Sequence, residues 1–440
     1  MNPTYILDFK SAVLKLAQIK IRSQRPRYER VAFFPRHEMR GSLFVAITHY
    51  DWSGYDYLKT ALEAGVAGVV LETSHEHLAA LIPNNVDVYL VESHRAFLAS
   101  MAHESRQEFD GDVIAITGST GKSQLGTWLQ YALDFHFKTQ FNDGNRNSFF
   151  GLCELLLHIR RSTQKLVVEL GARQLGELSA LGEILQPQNV VLTNIQHSHL
   201  KYLKNLQNVF ALKTELLQVS SVETVFLNAL DPLQSPLPDQ FPDKTFIFYH
   251  PEKVSSELGL SGPHEAQAYA AVDAITDFLG ATPMPEFSFW PKLPFSLSQM
   301  HTRNGQLALL DGRVTTPESL ENFRKIFSTL LAQQKPPTSF ALISGFVDFD
   351  PVHELAFIKT AAQRWAELPL KKIYYVGPHG ESLKKLYLEN GGHAEVTLGK
   401  KEDVQKILEE IQSLSPEALL AIQGHQEEWF FKLMTELTKS

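Results

Sequence analysis

The 440-residue chain has one cysteine, Cys153, so no internal disulfide can staple it and its stability must come from burial. No stretch approaches the roughly 18 consecutive apolar residues of a membrane-spanning helix, so no membrane insertion is expected. There is no basic excess. Lys and Arg number 41 against 49 Asp and Glu, a formal net charge of −8, which argues against nucleic acid as a partner. Low-complexity tracts and internal repeats are missing. The N-terminal residues MNPTYILDFKSAVLKLAQ lack a basic stretch followed by an apolar core, so no signal peptide is read and a cytoplasmic location is expected. What remains is an ordinary globular balance, 44% hydrophobic and 20% charged, with length enough for two to four domains.

The most informative stretch is Ile114-Ala115-Ile116-Thr117-Gly118-Ser119-Thr120-Gly121-Lys122-Ser123. Val113 to Ile116 read as a short buried strand. From Gln124 to Phe135, Leu125, Trp128, Leu129, Ala132 and Leu133 recur at helical spacing. Strand, glycine turn, Lys-Ser and helix form a phosphate cradle, in which backbone N–H groups of the turn and helix start face an anion. Gly118, Ser119, Thr120 and Gly121 would wrap the phosphates of a nucleotide, Lys122 would neutralise the outer ones, and the Ser123 hydroxyl can ligate Mg²⁺. The spacing is the short T-G-S-x-G-K-[ST] form, because Ile116 stands where the common motif has its first glycine.

Apolar runs and breakers divide the chain into three α/β units: 1–110, 111–285 and 286–440. Strands are expected at Leu43–Ile47, Gly68–Leu71 and Val86–Val91 in the first. In the second they fall after the phosphate loop at Leu166–Leu170, Val190–Thr193 and Thr224–Leu227. In the third they fall at Leu307–Leu310, Phe340–Ile343, Lys372–Val376 and Ala418–Ile422. Alternation with helices predicts mainly parallel, doubly wound sheets. The Pro-rich stretch Ala281 to Pro294 marks the second boundary and is expected to let the units open and close.

Four segments follow the phosphate loop in order: Gly144-Asn145-Arg146-Asn147-Ser148, Val168-Glu169-Leu170-Gly171-Ala172, Thr193-Asn194-Ile195-Gln196-His197-Ser198-His199-Leu200, and Lys213-Thr214-Glu215. Singly, each has a bland explanation: Glu169 ends a strand, His197 and His199 sit two apart as on one strand face, and Lys213 is a solvated helical lysine. Their joint order resembles the Mur ligase superfamily, and within it the branch that adds D-Ala-D-Ala to UDP-MurNAc-tripeptide. Arg36 and the run Gly41-Ser42-Leu43-Phe44-Val45-Ala46 resemble the family's uridine-nucleotide segment, and Gly262-Pro263-His264 its Gly-x-His segment near adenine.

The resemblance implies a three-domain architecture with a P-loop-type central parallel sheet and a Rossmann-like C-terminal domain. It implies an ATP- and Mg²⁺-dependent amide ligase of peptidoglycan precursor synthesis, working through an acyl phosphate as a monomer on a UDP-MurNAc-peptide and D-Ala-D-Ala. Asn194, His264 and Asp311 would join the phosphate loop in binding ATP, and Arg36, Ser42, Asn145 and Asn147 would bind the UDP substrate. Ser123, Glu169 and His199 would ligate metal, with Lys213 as a carbamylated lysine; Lys122, Lys213 and His199 would carry catalysis. His197 is given no role. The likeness thins towards the C-terminus. Leu310-Asp311-Gly312-Arg313-Val314-Thr315-Thr316-Pro317 keeps only Asp and Pro of the family's Asp-Asp-x-Tyr-Asn-Ala-Asn-Pro, and Gln423-Gly424-His425-Gln426 replaces Lys-Gly-Ser-Arg. A paralogue with another amine or acceptor, or a silent ATP-binding homologue, is the alternative. A P-loop kinase fits the short loop and the Glu169, His199, Lys213 order less well.

Overall fold

The computed structural model describes the chain except residues 1–4, 6–7, 18, 23–26, 34–38, 50–51, 143–145, 259, 261, 292–296, 313–316, 345–350, 425–427 and 439–440. Arg36 and Asn145, and positions 313–316, 425 and 426 of the C-terminal motifs, lie outside the described residues.

Three sheets carry the architecture. In the central one, strands run side by side in the order Thr245–Tyr249, Thr224–Asn228, Asn189–Leu192, Asp112–Thr117, Lys165–Glu169 and Thr139–Phe141, every neighbouring pair parallel. The inner strands have apolar middles, with polar residues only towards their ends, because helices cover both faces. Val113, Ile114, Ala115 and Ile116 are all fully buried, and they divide between the two core clusters flanking the sheet. The N-terminal sheet orders Ile19–Arg22, Asp87–Val91, Gly68–Glu72, Leu43–Val45 and Val31–Ala32, with only the first strand antiparallel. The C-terminal sheet orders Ser298–His301, Leu307–Asp311, Leu419–Gln423, Ser339–Ser344, Lys372–Val376 and Glu395–Gly399, again antiparallel only at its first strand. Among the described residues no helix is long and apolar enough to cross a membrane.

The sequence reading missed the edges. Thr139–Phe141 has three half-buried residues, and Thr245–Tyr249 is mostly part-exposed, so neither shows a clean apolar period. Two expectations are corrected. The pair His197 and His199 does not lie on a strand: that strand ends at Leu192, and His199 takes φ 52° just before the short helix Leu200–Leu203. The Pro-rich stretch is not a free linker over its first half. Trp128 Nε1 donates to the Pro291 carbonyl at 2.8 Å, Trp290 Nε1 to that of Pro285 at 3.0 Å, and the Trp290 ring stacks on Tyr269. Trp290 is buried in the central unit's core beside Trp128 and Ala271. The chain thus stays fastened to the central unit past residue 285, where the boundary was expected.

Candidate active site

Asp112–Thr117 lies between Asn189–Leu192 on one side and Lys165–Glu169 on the other. Parallel registers pair Glu169 with Ile116 and Leu192 with Thr117, so the residues leaving all three strands meet at one sheet edge. Ligands of open α/β sheets bind at such carboxyl-terminal edges.

The phosphate loop sits there and is tied from both sides. Asn194 accepts from the Thr120 N–H through Oδ1 (2.9 Å) and donates Nδ2 to Thr120 Oγ1 (2.9 Å), while its carbonyl accepts from the Ser119 N–H (2.9 Å). Thr193 Oγ1 donates to the Thr120 carbonyl at 2.6 Å. Asn194, expected to bind ATP, therefore shapes the loop in this structure. Gly118 has φ 138°, and a Cβ there would stand 2.0 Å from Thr193 Oγ1. Gly121, φ 79°, starts the helix Lys122–Asp134 with open space where its Cβ would be. This is a cradle stripped of side chains, as a triphosphate requires. Gly118→Ala is expected to cost about 1–3 kcal/mol of stability from strain alone and to abolish nucleotide binding. Thermal unfolding with and without ADP checks both effects.

Lys122 folds over the loop, its Nζ donating to the Gly118 carbonyl (2.8 Å) and the Ser119 carbonyl (3.3 Å). Ser123 Oγ donates to Glu169 Oε2 at 2.8 Å, and Asn147 Nδ2 donates to Glu169 Oε1 at 2.8 Å. Asn142 holds the Glu169 backbone through two further bonds, of 2.7 and 2.9 Å. Glu169 is thereby fixed and 2% exposed, with no arginine or lysine bonded to it among the described residues. Asn147, expected at the UDP substrate, is seen holding this carboxylate.

Lys213 is 1% exposed on the helix Leu206–Thr214. Burial, helped by the Lys122 charge, pulls its amine down to about 7, against the opposing pull of Glu215 and Glu169. Glu215 accepts from the Gly176 N–H (2.6 Å) and the Ser179 N–H (3.0 Å), which caps the helix Glu177–Leu185 and locks the loop after Glu169 to the Lys213 segment. Among the described residues no three His, Cys, Asp or Glu side chains cluster to hold a metal. The oxygen donors this edge offers a divalent cation are the Ser123 hydroxyl and the Glu169 carboxylate. Those hard oxygen donors suit Mg²⁺.

A cleft of about 1560 Å³ runs from this edge between the three units, lined by Lys122, Ser123, Glu169, Asn194, His199, His264 and Asp311 among others. His264 is the second residue of the helix Pro263–Phe278. Burial holds its imidazole below the ordinary value, and its Nδ1 has no hydrogen-bond partner among the described residues. Ser42 does not reach the cleft: it is fully buried before the strand Leu43–Val45, at the opposite sheet end from cleft-lining Thr48. His197 is exposed and is not a lining residue. Sequence reasoning missed several lining residues. Gln267 Nε2 donates to the Thr193 carbonyl at 2.7 Å, and Tyr249 OH donates to it at 3.0 Å. Arg95 enters from the N-terminal unit. None of these carries a local motif.

Residues 116–259 match the family model of the Mur ligase middle domain. The central unit is a Mur ligase middle domain. It carries Gly118 to Ser123, Glu169, Asn194, His199 and Lys213. Curated relatives include the UDP-N-acetylmuramoyl-tripeptide–D-alanyl-D-alanine ligases of Rickettsia prowazekii, 28% identical over 52% of this chain and 51% of that protein, and of Bacillus subtilis, 28% identical over 47% and 46%. The chain spans about half the length of the curated relatives it matches. Among solved structures, MurF from Acinetobacter baumannii aligns over 100% of this chain and 99% of its own, with TM-score 0.81 and 18% identity. MurF from Thermotoga maritima in complex with ADP aligns over 93% and 96%, with TM-score 0.73 and 19% identity. The units flanking the Mur ligase middle domain thus share the three-domain fold of those structures.

Proposed function

We propose that the protein is an ATP-dependent ligase that joins D-Ala-D-Ala to UDP-MurNAc-tripeptide in peptidoglycan precursor synthesis. The observation that carries this reading is Lys122 and the Ser123–Glu169 pair in a cleft that all three units line, with Lys213 buried behind them and within reach of the Lys122 and Glu169 charges. The names of the relatives point to the same substrates.

In this reading the substrate carboxylate attacks the γ-phosphorus of ATP and ADP leaves. The amine then attacks the acyl carbon and phosphate leaves. Such transfer is mostly positioning and charge neutralisation. Lys122 neutralises the phosphates. Ser123, Glu169 and His199 would hold Mg²⁺, which when bound would screen the transferring phosphate. His264 offers a neutral, buried imidazole Nδ1 to the nucleotide. Lys213, poised near neutrality by burial, is a candidate for carbamylation, which would turn a cation into an oxygen ligand. The cytoplasmic location and monomeric state belong to the same proposal.

One observation favours a different amine. Gln423, where the family has lysine, is fully buried beside Asp311 in the sheet register, and neither amide atom has a partner among the described residues. ATP-dependent ligation with UDP-MurNAc-tripeptide across a panel of amino acids and dipeptides decides. Product from D-Ala-D-Ala alone is expected. Product only from another amine moves the reading to a paralogue, and no phosphate release from any pair refutes a ligase.

A further inference from the structure

The parallel strands of the N-terminal sheet deliver Thr48, after Leu43–Val45, and Ser93 to Arg95, after Asp87–Val91, to the cleft. The turn at Ser93 is firmly held. His94 Nδ1 lies 2.7 Å from Glu72 Oε1, the His94 N–H donates to that oxygen at 3.0 Å, and Ser93 Oγ accepts from the Ala96 N–H at 3.3 Å to begin the helix His94–Gln107.

Arg95 follows directly. Its guanidinium carbon stands 3.8 Å from the centroid of the Phe149 ring. Phe149 is itself buried and packed edge-to-face on Phe150, which meets Phe33 of the N-terminal unit. An arginine laid flat on an aromatic ring keeps its N–H edge outward in a fixed fork, the geometry that receives a carboxylate or phosphate. Among the described residues that edge has no acceptor: Arg95 takes part in no ion pair and no hydrogen bond. Its aromatic platform is two residues beyond Asn147, whose amide holds Glu169. Arg95, Phe149 and Glu169 all line the same cleft.

We propose that Arg95 is a specificity-determining residue that binds a second anionic group of the carboxylate substrate, a carboxylate or phosphate distinct from the one that reacts. This rests on the ligase reading above, in which the substrate carries both a nucleoside diphosphate and peptide carboxylates.

The test compares wild type, Arg95→Ala and Arg95→Lys by calorimetric binding of UDP-MurNAc-tripeptide, UDP and ADP, and by turnover. For Arg95→Ala, affinity for UDP-MurNAc-tripeptide should fall tenfold or more and the KM for it should rise accordingly, with ADP affinity held within twofold. Arg95→Lys should recover only part, since a point charge lacks the fork. An equal loss of UDP affinity identifies the diphosphate as the bound group; unchanged UDP affinity identifies a peptide carboxylate. Binding of UDP-MurNAc-tripeptide within twofold of wild type overturns the proposal, as does an equal loss of ADP affinity, which marks a purely structural role. If wild type binds ADP but not UDP-MurNAc-tripeptide, the ligase reading itself fails and the Arg95 assignment falls with it.

Discussion

Lys122→Ala is expected to lose substrate-dependent ATP turnover by about 10²- to 10³-fold or more, the usual cost of removing a group that meets charge developing in a transition state. The fold should survive, because the loop to whose carbonyls Lys122 Nζ donates, at 2.8 and 3.3 Å, is held independently by Asn194 and Thr193. Circular dichroism and thermal unfolding establish that survival, and phosphate release in the presence of both co-substrates reads the loss. Turnover near that of wild type would remove the phosphate-loop assignment. A second effect follows from charge. Lys122 is one of the groups that lower the Lys213 amine, so its removal should let Lys213 titrate at a higher pH.

What the sequence made legible tracks how local each feature's cause is. The phosphate loop was readable because strand, glycine turn and helix are contiguous, and the glycines are needed by φ 138° and 79° at Gly118 and Gly121. Glu169 and Lys213 became readable only by their order along the chain; burial and register, which bring them together, are not local properties. Asn147 and Asn194 were recognised as site residues, yet the structure gives them supporting bonds, to Glu169 and to Thr120, that no spacing rule encodes. Arg95 was invisible, since its aromatic partner Phe149 lies on another unit. Distance along the chain within one unit hid the cap that Glu215 places on the helix Glu177–Leu185, whose N–H groups lie 36 to 39 residues away. Ser42 misled in the opposite way. A motif resemblance singled out its segment, but strand direction put Ser42 at the far end of the sheet from the cleft.

Lys213→Ala is expected to be as damaging as the loss of Lys122, and to be repairable. If a carbamate on Lys213 supplies an oxygen ligand, short carboxylates such as formate or acetate at high concentration should restore part of the activity of Lys213→Ala while leaving Lys122→Ala inert. Wild-type activity should rise with bicarbonate, and intact mass under bicarbonate should show the added carbon dioxide. Carbamylation needs the neutral amine, and burial at 1% exposure holds the amine near 7, so the neutral form is already abundant at pH 8. The linkage has a definite sign. A lysine whose folded value lies below its ordinary 10.5 binds fewer protons folded than unfolded, so the unmodified protein should gain stability as pH rises from about 7 towards 10.5. Lys213→Met, a neutral side chain of similar length, should flatten that part of the profile. Urea unfolding of both proteins in bicarbonate-free buffer across this pH window measures it. Identical profiles would show that the buried amine is not held down, and would leave no pool of neutral lysine for the carbamate to form on.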